Sequence, residues 1–121
     1  DMALAESALD VMSALYESLT GLSMKPEDLK KAGERVNNIA RAFNVREGFG
    51  RAEDTFPTRI LEEGIPGGPS KGQMISREDR DRMLDEYYDA RGWDRETGIP
   101  TRAKLVELGL RSIADELDIT S

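Results

Sequence analysis

Residues 26–43 read Pro26-Glu27-Asp28-Leu29-Lys30-Lys31-Ala32-Gly33-Glu34-Arg35-Val36-Asn37-Asn38-Ile39-Ala40-Arg41-Ala42-Phe43. Leu29, Ala32, Val36, Ile39, Ala40 and Phe43 recur at helical spacing, so one face is apolar, while Lys30, Lys31, Glu34 and Arg41 take the wet side. Pro26 suits a first helical position, and Glu27 and Asp28 place negative charge at the positive end of the helix dipole. Upstream, Leu4, Ala8, Val11, Met12, Leu15, Tyr16 and Leu19 keep the same period and predict a helix over Met2 to Thr20. Gly21 stands where a left-handed residue ends a helix, and Leu22 is placed to fold back on the last turn. Two such helices joined by a short loop are expected to form an antiparallel hairpin.

Downstream, the period breaks from Gly48 to Gly72, where Pro57, Pro66 and Pro69 alternate with Gly64, Gly67, Gly68 and Gly72. A short helical turn is expected at Pro57 to Glu63, with Pro57 in the first helical position and Gly64 ending it. Ser76 and Asp79 approximate a capping box and open a third long helix, which Gly92 stops near Ala90. Met83, Leu84, Tyr87 and Tyr88 form its apolar stripe, and Trp93 follows as an anchor. Thr101 and Lys104 start a fourth helix ended by Gly109; Leu110, Ile113, Ala114 and Leu117 make a short fifth. No stretch alternates as a strand does. The fold class is therefore all-α: an orthogonal, irregular bundle of about four to five helices with a long Gly/Pro-rich connection, and residues 1–121 form a single helical domain.

The chain has 121 residues, 17 Lys+Arg against 24 Asp+Glu, and a net charge of −7. A chain this size can bury about two thirds of its unfolded surface, enough for one modest core. The acidic balance argues against nucleic acid as partner, and no apolar run is long enough to span a membrane. No secretory signal opens the chain, which predicts a cytoplasmic location. With Asp1 in place of an initiating Met, the chain is read either as a piece of a longer one or as starting at Met2. There is no Cys and no His. Thiolate chemistry, thiolate-held metal clusters, Ser-His-Asp triads and imidazole ligands are thereby excluded from this chain. The residues of this chain supply no catalytic, cofactor-binding or metal site.

Three motifs invite chemistry and each fails on spacing or charge. Gly67 to Gly72 has the glycines of a phosphate loop, but Lys71 precedes Gly72, Pro69 deletes a donor and no strand comes before it. Gly48-Phe49-Gly50 is an incomplete dinucleotide fingerprint without its strand. Asp81, Asp85 and Asp89 share a helical stripe that could ligate a hard cation, yet Arg77, Arg80, Arg82 and Arg91 surround them as on a solvated face. The densest charge cluster, Asn44 to Asp54, reads as an Arg–carboxylate network of Arg46, Glu47, Arg51 and Asp54 that staples the loop down, because guanidinium forks match carboxylates bidentately. Asp115, Glu116 and Asp118 read as a solvated acidic end.

The run Glu34 to Asp54, with Phe56-Pro57 and Arg59 after it, resembles the C-terminal region of the tungsten-containing aldehyde ferredoxin oxidoreductase family. Gly68-Pro69, Met83 to Tyr88, Arg91-Gly92-Trp93-Asp94, Gly98-Ile99-Pro100-Thr101, Leu105 and Leu108-Gly109-Leu110 follow that family's pattern in order. The resemblance implies a parent enzyme that oxidises aldehydes to carboxylic acids and passes two electrons to ferredoxin. It implies tungsten held by two pterin dithiolenes, beside a four-iron four-sulfur cluster, on residues upstream of the matched region. None of those Cys, Glu or His residues carries over, so the isolated chain is expected to be inactive. Its partner would be the remainder of the parent, against which the Gly/Pro-rich connection would lie. Phe49, Phe56, Ile60, Ile65 and Ile75 are then candidates for an exposed patch that leaves the isolated chain open to self-association. The competing reading is a stand-alone helical interaction module without redox chemistry.

Overall fold

The computed structural model describes residues 2–119, with side chains from Ala8 onward. Leu4, placed by its spacing on the first apolar stripe, has its side chain outside the described residues. The elements are α1 (Met2–Thr20), α2 (Pro26–Arg46), a 3-10 turn (Arg51–Glu53), α3 (Thr58–Glu62), α4 (Arg77–Arg91), α5 (Arg102–Glu107) and α6 (Arg111–Glu116). Among the described residues there is no strand, and an isolated bridge joins Trp93 to Pro100. The fold is all-α, and the short turn after Pro57 is its additional helix. Pro57 itself stands one residue outside α3, with φ −51° and ψ 141°. The chain divides into two compact units, residues 1–40 and 41–121.

In the first unit, α1 ends on Gly21 at φ 70°, whose N–H donates to the Glu17 carbonyl at 2.8 Å. Leu22 does not fold back; it is exposed, and its N–H bonds Thr20 Oγ1 at 3.2 Å. Ser13 is buried and donates to the Met24 carbonyl. At the start of α2, Asp28 reaches back to the Lys25 N–H at 3.0 Å, satisfying one of the orphan donors of a helix start. The expected hairpin packing of apolar on apolar is not formed. Val11, Met12, Leu15 and Leu19 are exposed, and so are Val36 and Ile39. The reason is rotational: Ser13 lies about 140° around α1 from the middle of the Val11–Leu15 stripe, so anchoring through Ser13 turns that stripe outward.

The second unit holds the apolar core, where Leu105, Leu108, Leu110, Ala114 and Ile119 are buried with Ile99, Ile113 and Leu117 against them. Each fully buried leucine among them contributes roughly 1.5–3 kcal/mol by leaving water. Thr101 caps α5 by accepting from the Lys104 N–H at 3.2 Å. The chain then turns at Gly109, and the Leu110 N–H returns to the Leu105 carbonyl at 2.7 Å, laying α6 on α5. Ser76 caps α4, accepting from the Asp79 N–H at 3.0 Å. Asp79 is one methylene short of the Glu of a capping box, and it takes the Ser76 hydroxyl at 2.8 Å instead. Gly92 ends α4 at φ 69°, a left-handed value that any other residue adopts with strain. Trp93 follows, 7% exposed. The Gly/Pro-rich connection is closed on itself by Ile65 N–H to the Gln73 carbonyl at 3.0 Å and Gly72 N–H to the Ile65 carbonyl at 2.8 Å.

Candidate functional site

The main polar cluster of the second unit is built on Arg41, which lies near the end of α2 and is only 7% exposed. Its Nη1 and Nη2 donate to Asp54 Oδ1 and Oδ2 at 3.0 and 2.6 Å, a bidentate fork. Its Nε donates to the Gly98 carbonyl at 2.8 Å, tying together positions 57 residues apart. Tyr88 of α4 donates its hydroxyl to Asp54 Oδ2. The guanidinium lies 4.9 Å from the Trp93 ring centre and 5.9 Å from that of Tyr88, close enough for cation–π attraction. Gly98 sits at φ 71°, and a Cβ there would lie 2.3 Å from Arg41 Nη2 and 2.9 Å from the Tyr88 hydroxyl. No side chain fits at that point.

Arg51 forms the outer layer of the same cluster. It donates to the Arg95 carbonyl at 2.7 Å, pairs with Asp85 at 2.7 Å and lies 5.4 Å from the Tyr88 ring centre. Its own N–H bonds the Thr97 carbonyl at 2.9 Å, so the 3-10 turn is pinned to the loop after α4. That loop is braced by Asp94, which accepts from the Thr97 N–H at 2.8 Å and its hydroxyl at 2.6 Å.

Of the residues the sequence analysis selected, Arg51, Asp54 and Trp93 therefore meet around Arg41 and Tyr88. Arg46 and Glu47 do not join them: Arg46 pairs at 3.4 Å with its neighbour Glu47 and at 3.7 Å with Glu116, with side chains half exposed or more. Arg41, Tyr88 and Gly98 were missed as members of the cluster. Helical periodicity assigned Arg41 to a wet face, and no spacing rule links residues 41, 54, 88 and 98.

The electrostatics make this cluster a lock. Burial pushes the Asp54 carboxyl up, but hydrogen bonds from Arg41 and Tyr88 and the charges of Arg41 and Arg51 outweigh it and hold its pKa below the ordinary value. Burial, with the hydrogen bond and charge of Asp54, pushes the Tyr88 hydroxyl up to about 12. Asp54 thus stays a carboxylate and Tyr88 a phenol near neutral pH, and neither is poised to exchange a proton. Asp81, Asp85 and Asp89 are each paired with arginine, Asp81 with Arg80 and Arg51, Asp85 with Arg51 and Asp89 with Arg95. Among the described residues no group of three acidic side chains is placed to hold a metal ion.

A groove of about 300 Å³ is lined by Arg51 and Asp54 of the cluster with Arg80, Asp81 and Leu84, and two larger grooves lie beside α3 and α4. One, of about 540 Å³, is lined by Ile60, Ile65, Pro66, Met74 and Ile75 with Arg59 and Glu63. The other, of about 500 Å³, is lined by Phe56, Met83, Leu84 and Tyr87 with Glu53 and Arg80. Of the candidate patch residues, Phe49, Phe56, Ile60 and Ile65 are exposed and Ile75 is half-buried.

The family model described as "Aldehyde ferredoxin oxidoreductase, domains 2 & 3" matches residues 3–110 of this chain. The tungsten-containing aldehyde ferredoxin oxidoreductase of Pyrococcus abyssi is 44% identical over 97 residues, 79% of this chain and 15% of that protein. The Pyrococcus furiosus protein of the same name is 41% identical over 97 residues, with the same coverage of 79% and 15%. Among solved structures, the active-site complex BamBC of benzoyl coenzyme A reductase with 1,5-dienoyl-CoA aligns with a TM-score of 0.72 at 30% identity. That alignment covers 89% of this chain and 15% of the other. The chain thus spans about 15% of the length of the curated relatives it matches.

Proposed function

This chain belongs to the aldehyde ferredoxin oxidoreductase family, a family of oxidoreductases, and from that premise we propose that residues 1–121 form one helical, C-terminal domain of a longer enzyme. That enzyme oxidises an aldehyde and water to a carboxylic acid, releasing two protons and two electrons, and ferredoxin takes the electrons. The metal centre would be tungsten on two pterins, beside a four-iron four-sulfur cluster. The donor set of this chain does not fit the cluster, since it has no Cys to ligate iron, and its acidic stripe is neutralised by arginine; the tungsten would take its sulfur ligands from the pterins. Cofactor binding therefore falls to the rest of the parent, and this chain alone does not turn over.

The observation that carries this reading is the Arg41–Asp54–Tyr88 lock. Its charges are spent on one another and on the Gly98 carbonyl, which suits a scaffold that walls a cavity rather than a centre that moves protons. The groove walls of α3 and α4 are apolar, as the flank of a buried substrate cavity would be. No helix among the described residues is long and apolar enough to cross a membrane. We place the enzyme in the cytoplasm, with ferredoxin and not a membrane carrier as its acceptor.

The test is to isolate the native protein with an antibody against this chain, read its mass, and measure aldehyde-dependent ferredoxin reduction with it and with the 121-residue chain. A band several times heavier than 13.5 kDa that reduces ferredoxin, beside an inactive 121-residue chain, is expected. A native band of 13.5 kDa would instead favour a stand-alone interaction module.

A further inference from the structure

Helix α2 is amphipathic the wrong way round for a surface helix. Its buried side carries Asn38, Arg41 and Ala42. Its apolar side faces out: Val36 is 68%, Ile39 44% and Phe43 55% exposed, with Ala32 and Ala40 also exposed. From the half-buried Leu29 to Phe43 this strip runs about 21 Å along the helix, and its C-terminal end is flanked by Arg46, whose guanidinium lies 5.0 Å from the Phe43 ring centre. A monomeric soluble protein rarely leaves such a strip uncovered, because burying it releases roughly 25 cal/mol for each Å².

We propose that the Leu29–Phe43 face of α2 is the surface on which this domain docks against the rest of its parent chain, and that its occupant is an uncharged, aliphatic surface of that upstream part. The inference rests on the function proposed above. What names the occupant is length: this chain covers 15% of the relatives it matches, so most of such a protein lies outside it, and residues 29–43 fall inside the family match. The composition of the strip sets the fit. Ala32 and Ala40 leave shallow places between Val36, Ile39 and Phe43, into which branched aliphatic side chains of a neighbouring element can enter. A lock of polar groups on one side and a dry contact on the other would bury α2 within the parent, although its sequence looks like that of a surface helix.

Hydroxyl-radical footprinting of the full-length parent tests this, with each residue's labelling in the folded protein compared to its labelling in denaturant. Phe43 and Ile39 are expected to be labelled on the order of tenfold more slowly when folded, at every protein concentration, because a covered side chain leaves water. Labelling at about half the denatured rate, as their exposure in this chain implies, would overturn the proposal. Protection that appears only as the protein is concentrated would also overturn it, by making a second copy the occupant. A Val36→Lys substitution in the same full-length protein should lower its melting temperature, whereas Lys31→Glu, at an exposed position off the strip, should not. Aldehyde oxidation, measured on the same preparation, separates the two claims. Protection without oxidation sinks only the oxidoreductase reading, and oxidation with a freely labelled Phe43 sinks only the docking surface.

Discussion

Asp54 is the residue on which the second unit turns, because one carboxylate satisfies the Arg41 fork and the Tyr88 hydroxyl together. Replacing Asp54 with Asn leaves the isosteric shape but removes the charge opposite a guanidinium that is 7% exposed. A loss of roughly 2 kcal/mol is expected by urea denaturation, and about 1 kcal/mol for Tyr88→Phe, which deletes one hydrogen bond. Equal and negligible losses for both would mean that the lock does not stabilise the fold. The pH dependence follows from the same two groups. The Asp54 pKa is lowered on folding, so its contribution is complete above about pH 5 and is lost as pH falls through the folded-state value. Tyr88 is shifted the other way: its contribution is complete below about pH 10 and lost as pH rises towards about 12. A thermal-melt series should show a plateau between those limits, and Asp54→Asn should flatten the acid limb. Gly98 is a residue that reading along the chain could place in a turn but not in the lock, since the demand for no side chain comes from Arg41 and Tyr88 pressing on it.

At the scale of elements, boundaries were legible because they are set by near neighbours in sequence. Gly21 and Gly92 end their helices at positive φ, Ser76 and Thr101 cap theirs with side-chain oxygens, and Pro26 opens α2. The α5–α6 pair was equally legible, as its inward leucines are those the spacing selected and they are buried. Leu105→Ala is therefore expected to cost about 2–5 kcal/mol, with a Leu105 that is 0% exposed and packed on Leu108 and Ala114. Ser76→Ala should cost about 1 kcal/mol by loss of the α4 cap, read as a shift in the denaturation midpoint. Which way each helix faces was less legible. Periodicity identified the apolar stripes of α1 and α2 correctly as stripes, but not what they meet, because an amphipathic pattern records that a face is destined for cover without recording its partner.

Taken whole, the molecule exposes Val11, Met12, Leu15, Leu19, Val36, Ile39 and Phe43 while carrying a net charge of −7. Like charge opposes close approach and the exposed aliphatic surface favours it, so association should strengthen with ionic strength. Analytical ultracentrifugation of the 121-residue chain is expected to show a dimer fraction that grows between low and moderate salt. A monomer at all salt concentrations would mean that the faces cover one another within a single chain. The sequence alone determined which side-chain chemistries are missing and where the elements lie: without Cys or His it has no thiolate or imidazole chemistry, its helices begin and end at local signals, and its order of motifs belongs to one family. Only the tertiary structure decided that Arg41, and not Arg46, is the partner of Asp54, that Gly98 must be bare, and that Asn38 and Arg41 of α2 are buried while Val36, Ile39 and Phe43 are exposed. Those outcomes depend on contacts between residues far apart in the chain, where geometry selects among several arginines that composition and spacing leave equivalent.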